Sequence, residues 1–217
     1  MNIAVLCART TFTVVTLLGF NTVVYADLNS DILNIQQQWA RANYATPEDT
    51  QEQAFEALVN DARKLADQWA GKAEPLVWLA ISLSTDAGVN GGLSALGKVK
   101  EARKHLEAAE KIDAQVLDGS VYTSLGSLYY QVPGWPIGFG DDDKAELFLK
   151  KALTINPEGI DPNYFYGDFQ LEEGNYEVAE KYLTQASKAP ARPERPLADK
   201  GRQAEIARKL EEVREKL

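Results

Sequence analysis

The stretch QVPGWPIGFGDDDKA, residues 131–145, combines residue types that could bind a metal ion or a ligand. Its three consecutive aspartates offer oxygen ligands, but calcium takes about six to eight oxygens and no EF-hand spacing follows. Aspartate is also favoured at the positive N-terminus of a helix. We therefore expect Asp141 and Asp142 to cap a helix that starts near Lys144, and we predict no metal site.

Two other features resemble catalytic motifs without completing them. The segment GLSALGK (92–98) matches a phosphate-binding loop, but Val99 stands where Ser or Thr should bind magnesium, and no strand precedes it. His105 is the only histidine, and no serine lies in an elbow motif that could complete a catalytic triad. Acidic residues are plentiful, yet nothing singles out a pair for acid–base work. The sequence predicts a non-enzymatic protein with no catalytic residue and no cofactor.

The aromatic residues are more informative. Nine of them fall in two successive helical segments and the loop between these segments. Tyr and Trp combine an apolar body with a polar tip, which suits the partly hydrated edge of a binding surface. We predict that some of these rings pack in the core and that others contact a ligand or a protein partner. The candidate binding residues are Trp135, Ile137, Phe139, Tyr129, Tyr130, Tyr164 and Tyr166.

Residues 1–26 have the pattern of an export signal. They contain one basic residue, Arg9, no acidic residue, and the apolar run TFTVVTLLGF. Small residues, Val24 and Ala26, precede Asp27 at the positions that signal peptidase requires. This pattern predicts a signal peptide cleaved after Ala26 and a periplasmic protein. A segment that stays uncleaved as a membrane anchor is the alternative.

The chain that follows is acidic and lacks cysteine. Residues 27–217 carry 22 basic and 32 acidic side chains, a net charge of −10, and the only cysteine lies before them. Such a chain repels nucleic acid and anionic lipid. We therefore predict no nucleic-acid partner, and membrane contact only through an uncleaved signal. Disulfides and thiolate zinc sites are excluded for this part of the chain.

Apolar residues recur at spacings of three and four after residue 26, which predicts about nine helices. One pattern, small–Leu–Ala with spacings of four and three, occurs three times, and its last two copies are 34 residues apart. That separation is the period of the tetratricopeptide repeat. We predict an all-α domain over 27–217, a right-handed stack of tetratricopeptide-like hairpins. The best-matching repeats are 75–114, 118–157 and 161–190, followed by a C-terminal capping helix at 198–217.

Two of these repeats are longer than the third. The distance from the small residue of the first helix to the alanine of the second is 12 positions in the last repeat, but 19 and 20 in the two before it. We predict two elongated loops, since long loops in compact domains are usually functional. We expect the loop within 131–145 to fold over the concave side with Trp135 and Phe139 as anchors. Arg192, Arg195 and Arg202 are candidates to pair with its acidic residues.

Three stretches carry a resemblance to a known family: GGLSALGKVKEA, SLGSLYYQVPGWPIGFGDDDKAE and DPNYFYGDF. Over about residues 75–215 the sequence resembles the T-component (TatT-like) proteins of TRAP-type transporters and related periplasmic tetratricopeptide proteins. The resemblance implies an α-helical periplasmic subunit that docks a solute-binding protein and holds a small apolar ligand in a central pore. The family's transport members are typically lipoproteins, whereas this sequence has no lipobox.

These observations favour a protein-binding scaffold or adaptor that contacts another periplasmic protein, such as a solute-binding protein, through its concave face and loops. The alternative function is binding of a small apolar solute or lipid in a pore, as an accessory subunit of a TRAP-type transporter. A closed apolar cavity would favour the alternative, and an exposed binding surface would favour the adaptor.

Overall fold

The computed structural model describes residues 27–217, except for the side chain of Leu93, and this part of the chain is mainly α-helical. The predicted signal peptide lies outside the described residues. The helices are α1 (Leu28–Tyr44), α2 (Glu48–Gln68), α3 (Ala73–Asn90), α4 (Gly92–Ile112), α5 (Val116–Gln131), α6 (Asp142–Ile155), α7 (Ile160–Glu172), α8 (Tyr176–Ser187) and α9 (Pro196–Arg214). The predicted all-α repeat stack is confirmed. Within 27–217 no helix is both long and apolar enough to cross a membrane.

Successive helices pair as antiparallel hairpins, α1 with α2, α3 with α4, α5 with α6 and α7 with α8. The odd-numbered helices also pack side by side, since α3 contacts α1 and α5, and α5 contacts α7. They form the inner layer, and the even-numbered helices lie outside it. Helix α9 covers the last hairpin but also packs against α1, so that the two ends of the stack meet.

The repeated small residues allow the two helices of a hairpin to approach closely. All nine members of the small–Leu–Ala pattern are fully buried. In the α5–α6 hairpin a Cβ at Gly126 would come 2.5 Å from Leu149 Cγ, and in α7–α8 a Cβ at Gly167 would come 2.8 Å from Leu183 Cγ. A larger residue at either glycine would force the helices apart, which explains the spacing seen in the sequence.

One of the two predicted elongated loops is helical instead. The extra residues in the α3–α4 hairpin extend both helices, and the chain reverses at Gly91 and Gly92, which both have positive φ angles. Glycine adopts this backbone conformation without a steric cost. The buried Asp86 carboxylate joins the two extensions through an ion pair to Lys98, with an Nζ–Oδ2 distance of 2.7 Å. Helix propagation therefore absorbs an insertion that the sequence pattern assigns to a loop.

The second insertion is a true loop, and its acidic end starts a helix. Asp141 is the N-cap of α6, where its carboxylate accepts a hydrogen bond from the Lys144 backbone N–H at 3.1 Å. Asp142 lies in the first turn of α6 rather than at the cap position. There its charge faces the positive end of the helix dipole.

Candidate functional site

A partly open cavity of about 360 Å³ lies on the inner side of the stack, where its two ends meet. The walls come from the inner helices α1, α3, α5 and α7 and from residues 192–205, whereas the outer helices do not contribute. This volume lies at the lower end of the range of about 300–1,000 Å³ for small-molecule sites. The cavity exists because α9 returns to α1.

Two arginines on one wall are held by carboxylates. Asp161, in the first turn of α7, accepts hydrogen bonds from Arg192 Nη1 at 2.6 Å and from Arg202 Nε at 3.1 Å. Arg192 also pairs with Asp199 at 2.6 Å, and Arg202 pairs with Glu205 at 2.5 Å. The network ties the start of α7 to α9 and to the segment before α9. It therefore helps to close the stack.

Burial and neighbouring charges shift the pKa values of the groups in this network in opposite directions. Burial alone would raise the pKa of Asp161, but the charges of Arg202 and Arg192 outweigh it and hold this pKa well below its usual value. Burial likewise opposes the charge on Arg202, whereas Asp161 raises the pKa of that guanidinium above its usual value. Both groups therefore stay ionised at neutral pH.

Arg195 differs from its two neighbours because none of the described residues pairs with it. Its Nε is buried without a hydrogen-bond partner, and no carboxylate in 27–217 forms an ion pair with its guanidinium. Burial first, and then the charge of Arg192, lower the pKa of Arg195. The guanidinium lies over the Trp78 ring, with Cζ 5.2 Å from the ring centroid. Arg195 is therefore a cation on the cavity wall that makes no ion pair within 27–217, although the charges of Asp161 and Asp199 act on it from a distance.

Two further polar atoms on the cavity wall also lack partners. Trp78 is 4% exposed, and its Nε1 is buried without a hydrogen-bond acceptor. The Tyr44 hydroxyl lies near the Glu205 carboxylate, but without a hydrogen bond of standard geometry. Burial raises the pKa of Tyr44, against the opposing charge of Arg202, so that the hydroxyl is neutral and can donate. Buried donors are normally satisfied, so unpaired donors grouped at one cavity indicate a place for an acceptor.

The rest of the wall combines aromatic rings with hydroxyl groups. Trp39 lies edge-on to Trp78, with the ring centroids 6.3 Å apart, and its Nε1 donates to Thr85 Oγ1 at 2.9 Å. Ser124 and Ser127 of α5 also line the cavity, and their hydroxyls have no hydrogen bond within 27–217. The cavity is therefore mixed in character, with a cationic end, aromatic surfaces and a hydroxyl-bearing wall.

One of the candidate binding residues contributes to this cavity. Tyr164 lines it beneath Arg202, whose Cζ lies 4.2 Å from the ring centroid, and burial raises the pKa of Tyr164 to about 12. Tyr130 instead donates to the buried Asp168 at 2.7 Å, and Asp168 also pairs with Lys209 of α9 at 2.9 Å. Tyr130 thus joins the inner helices to α9.

Two other candidates are packing residues. Tyr166 is buried edge-on against Tyr182, with the ring centroids 4.6 Å apart. Tyr129 is buried between Phe148, on which it stacks at 5.6 Å, and Phe139, which it meets edge-on at the same distance. Neither ring lines the cavity. Their aromatic character serves the contacts between helices.

The loop that joins α5 to α6, residues 132–141 and hereafter the elbow, does not cover the cavity, so its predicted position over the concave side is wrong. None of its residues lines the cavity. Phe139 does anchor it, packed against Tyr129 and beneath the Arg103 guanidinium, whose Cζ lies 4.2 Å from the ring centroid. Trp135 is 89% exposed and Ile137 is 64% exposed, so neither anchors anything. Arg103 of α4 therefore holds the elbow on the side of the outer, even-numbered helices.

Backbone hydrogen bonds make the elbow rigid. Gly140 N–H donates to Pro133 O at 3.0 Å, and Asp141 N–H donates to Tyr129 O at 2.9 Å. The chain is so tight that a Cβ at Gly140 would lie 1.9 Å from Val132 O. The elbow thus presents Trp135 and Ile137 to solvent on a fixed support.

The sequence pattern misses the main components of the cavity. It offers Arg192, Arg195 and Arg202 only as candidates to pair with the acidic residues of the 131–145 loop. Two of them pair instead with Asp161, Asp199 and Glu205, and the third is unpaired within 27–217. The three arginines within eleven residues are the signal that could have drawn attention to α9. Asp161, the carboxylate that two of them share, lies too far away in sequence for any local pattern to pair them.

Comparison with known proteins supports the repeat fold. The structure matches the crystal structure of a thermophilic TPR protein of Thermus thermophilus with a TM-score of 0.54 and 15% sequence identity. The match covers 83% of this chain and 99% of that one. No family model and no curated protein matches the sequence. The chain thus has a TPR-like α-helical repeat fold.

Proposed function

We propose that this protein is a non-enzymatic periplasmic adaptor that binds a protein partner through the exposed tip of the elbow. The exposure of Trp135 on a rigid loop carries the proposal. Tryptophan is enriched among the residues that dominate interface energies. Ile137, two residues away, extends the same apolar tip.

The rigidity of the elbow supports this role. A flexible loop would lose conformational entropy when a partner bound it, whereas a loop already fixed by Phe139 and its own backbone hydrogen bonds loses little. The TPR-like fold provides the firm support, because α5 and α6, the helices on either side of the elbow, pack against each other. The arrangement is suited to holding one apolar contact in a defined orientation.

The proposal also includes a periplasmic location and a solute-binding protein as the partner. The signal pattern of residues 1–26 supports export with cleavage after Ala26, and the resemblance to TRAP T-components supports a solute-binding protein as the partner. The alternative function, a pore for a small apolar solute or lipid, receives less support. An apolar occupant would leave the Arg195 guanidinium and Trp78 Nε1 on the cavity wall without a partner.

Site-specific photo-crosslinking in the native host tests the adaptor function. A benzophenone side chain would replace Trp135, and in a matched control it would replace Ile112, which is 48% exposed at the end of α4. We expect one discrete protein adduct from position 135, in a periplasmic fraction that contains the chain starting at Asp27, and little from position 112. Equal labelling from both positions, or none from either, would contradict the proposal. A bound apolar molecule without a protein adduct would favour the alternative.

A further inference from the structure

The cavity contains a binding site that the adaptor function does not use. Arg195 and Trp78 lie on its wall with donors that no other described residue satisfies. The elbow, which carries the proposed protein contact, contributes nothing to this wall. The function of the cavity can therefore be considered independently of that contact.

We propose that the cavity binds a carboxylate group, with the Arg195 guanidinium as its counterion and Trp78 Nε1 as a second donor. A planar guanidinium offers two parallel N–H groups that match the two oxygens of a carboxylate. Arg195 makes no ion pair within 27–217, so this fork is free. Its contact with the Trp78 ring holds the guanidinium next to the indole that bears the second donor.

The surrounding charges disfavour an occupant with more than one negative charge. The three arginines 192, 195 and 202 are matched by the carboxylates of Asp161, Asp199 and Glu205, so the cluster is neutral as a whole. A neutral cluster with one unpaired guanidinium can accept one negative charge at that guanidinium. A dianion such as phosphate would place a second charge near Asp161 and Glu205, where repulsion opposes it.

The other residues of the cavity wall indicate the chemical character of the rest of the ligand. Trp39, Trp78 and Tyr164 offer aromatic surfaces, and the hydroxyls of Ser124 and Ser127 offer hydrogen bonds. A cavity of about 360 Å³ has room for a small organic acid or for the last residues of a peptide chain. Both sources present the same group, a carboxylate attached to a partly apolar body.

Titration of the chain 27–217 by calorimetry tests this site without any variant. Phenylacetate would be compared with neutral phenylacetamide, and the tripeptide Gly-Gly-Phe would be compared with its C-terminal amide. We expect at least one carboxylate to bind about tenfold or more tightly than its amide, because the amide loses the charge-assisted hydrogen bonds. Tighter binding of phenylacetate would identify a small acid as the source, and tighter binding of the tripeptide would identify a chain terminus.

Two variants then locate the site. Arg195→Gln should weaken binding of the carboxylate about tenfold or more and should leave the weak binding of the amide unchanged. Arg208→Gln, at an exposed position of α9 without an ion pair in the described chain, should bind as the original protein does. If neither carboxylate binds with a Kd below about 1 mM, or if each binds no better than its amide, the proposal is wrong. Unchanged affinity in Arg195→Gln would equally overturn it.

Discussion

Gly201 of α9 lies directly against the ring of Tyr44 at the end of α1. A Cβ added to Gly201 would come 2.4 Å from Tyr44 Cγ, well inside any permitted contact. The two residues are far apart in sequence, and their contact joins the last helix of the stack to the first. A side chain at position 201 would therefore separate α9 from α1 and open the cavity between them.

Gly201→Ala tests this closure. We expect the free energy of unfolding to fall by about 1–3 kcal/mol, the usual cost of overpacking a fitted contact. The measurement is urea denaturation followed by circular dichroism. Gly97→Ala in α4 is the matched control, because nothing lies within 4 Å of its Cβ position. Removing a helical glycine there should raise the free energy of unfolding by roughly 0.5–1 kcal/mol. Equal effects at both glycines would show that α9 does not depend on this contact.

The ion pairs of Asp161 should make stability depend on acidic pH. The arginines 192 and 202 hold the pKa of Asp161 below its value in the unfolded chain, which is about 3.9. A carboxylate with a lowered folded-state pKa stabilises the fold fully above the unfolded pKa, and this contribution is lost as pH falls towards the folded pKa. The contribution should be constant above about pH 5 and should decline below about pH 4.

Comparison of Asp161→Asn with the original protein isolates this effect. At pH 7 we expect the variant to lose roughly 3 kcal/mol of unfolding free energy, because two arginines then lack their shared carboxylate. At pH 3 the difference between the two proteins should be smaller, since the unfolded chain then binds a proton at Asp161 that the folded protein does not. Glu56→Gln, at an exposed position without an ion pair in the described residues, should change stability little at either pH. A pH-independent difference for Asp161→Asn would contradict the argument.

The sequence predicted the local packing of this fold better than its closure. The alanines of the small–Leu–Ala pattern could be identified because close approach of two helices requires small residues at fixed spacing, a rule that acts within one hairpin. The return of α9 to α1 depends instead on the angles between all successive helices. No single residue encodes those angles, so the contact of Gly201 with Tyr44 and the grouping of the arginines around Asp161 remained invisible in the sequence.

The two insertions, in the α3–α4 and α5–α6 hairpins, show another limit of prediction from the sequence. Each adds a similar number of residues to its hairpin, yet the first lengthens two helices and the second forms the elbow. The helical segment 86–98 contains no proline, whereas Pro133 and Pro136 interrupt the second insertion, and proline lacks the N–H that helix propagation needs. Insertion length alone could not distinguish the outcomes. The position of the elbow also depended on Arg103, whose contact with Phe139 has no local sequence signal.

The extended α3–α4 hairpin should depend on its internal ion pair. The Asp86 side chain is 2% exposed, and its oxygens are held by Lys98 and by Asn90, which donates from Nδ2 at 2.5 Å. Lys98→Met would remove the counterion and leave a buried charge, so we expect a loss of about 3 kcal/mol in unfolding free energy. Lys100→Met, at an exposed position of the same helix, should cost less than about 0.5 kcal/mol.

A second substitution shows whether the loss in Lys98→Met comes from the buried charge. Adding Asp86→Asn to Lys98→Met removes the uncompensated carboxylate, so the double variant should be more stable than Lys98→Met alone. The measurement is the same urea denaturation for all three variants. If the double variant were less stable than the single one by the full cost of a second independent mutation, the two groups would not be coupled.

The elbow should respond very differently to changes at its anchor and at its tip. Phe139 is partly buried between Tyr129 and Arg103, so Phe139→Ala should lower the free energy of unfolding by roughly 2 kcal/mol, less than for a fully buried phenylalanine. Trp135→Ala should change it by less than about 0.5 kcal/mol, because the ring is 89% exposed and contributes little to the fold. Thermal or urea unfolding of both variants measures the contrast. A destabilisation by Trp135→Ala as large as that by Phe139→Ala would mean that the tip packs against the domain, and Trp135 would then be unavailable to a partner.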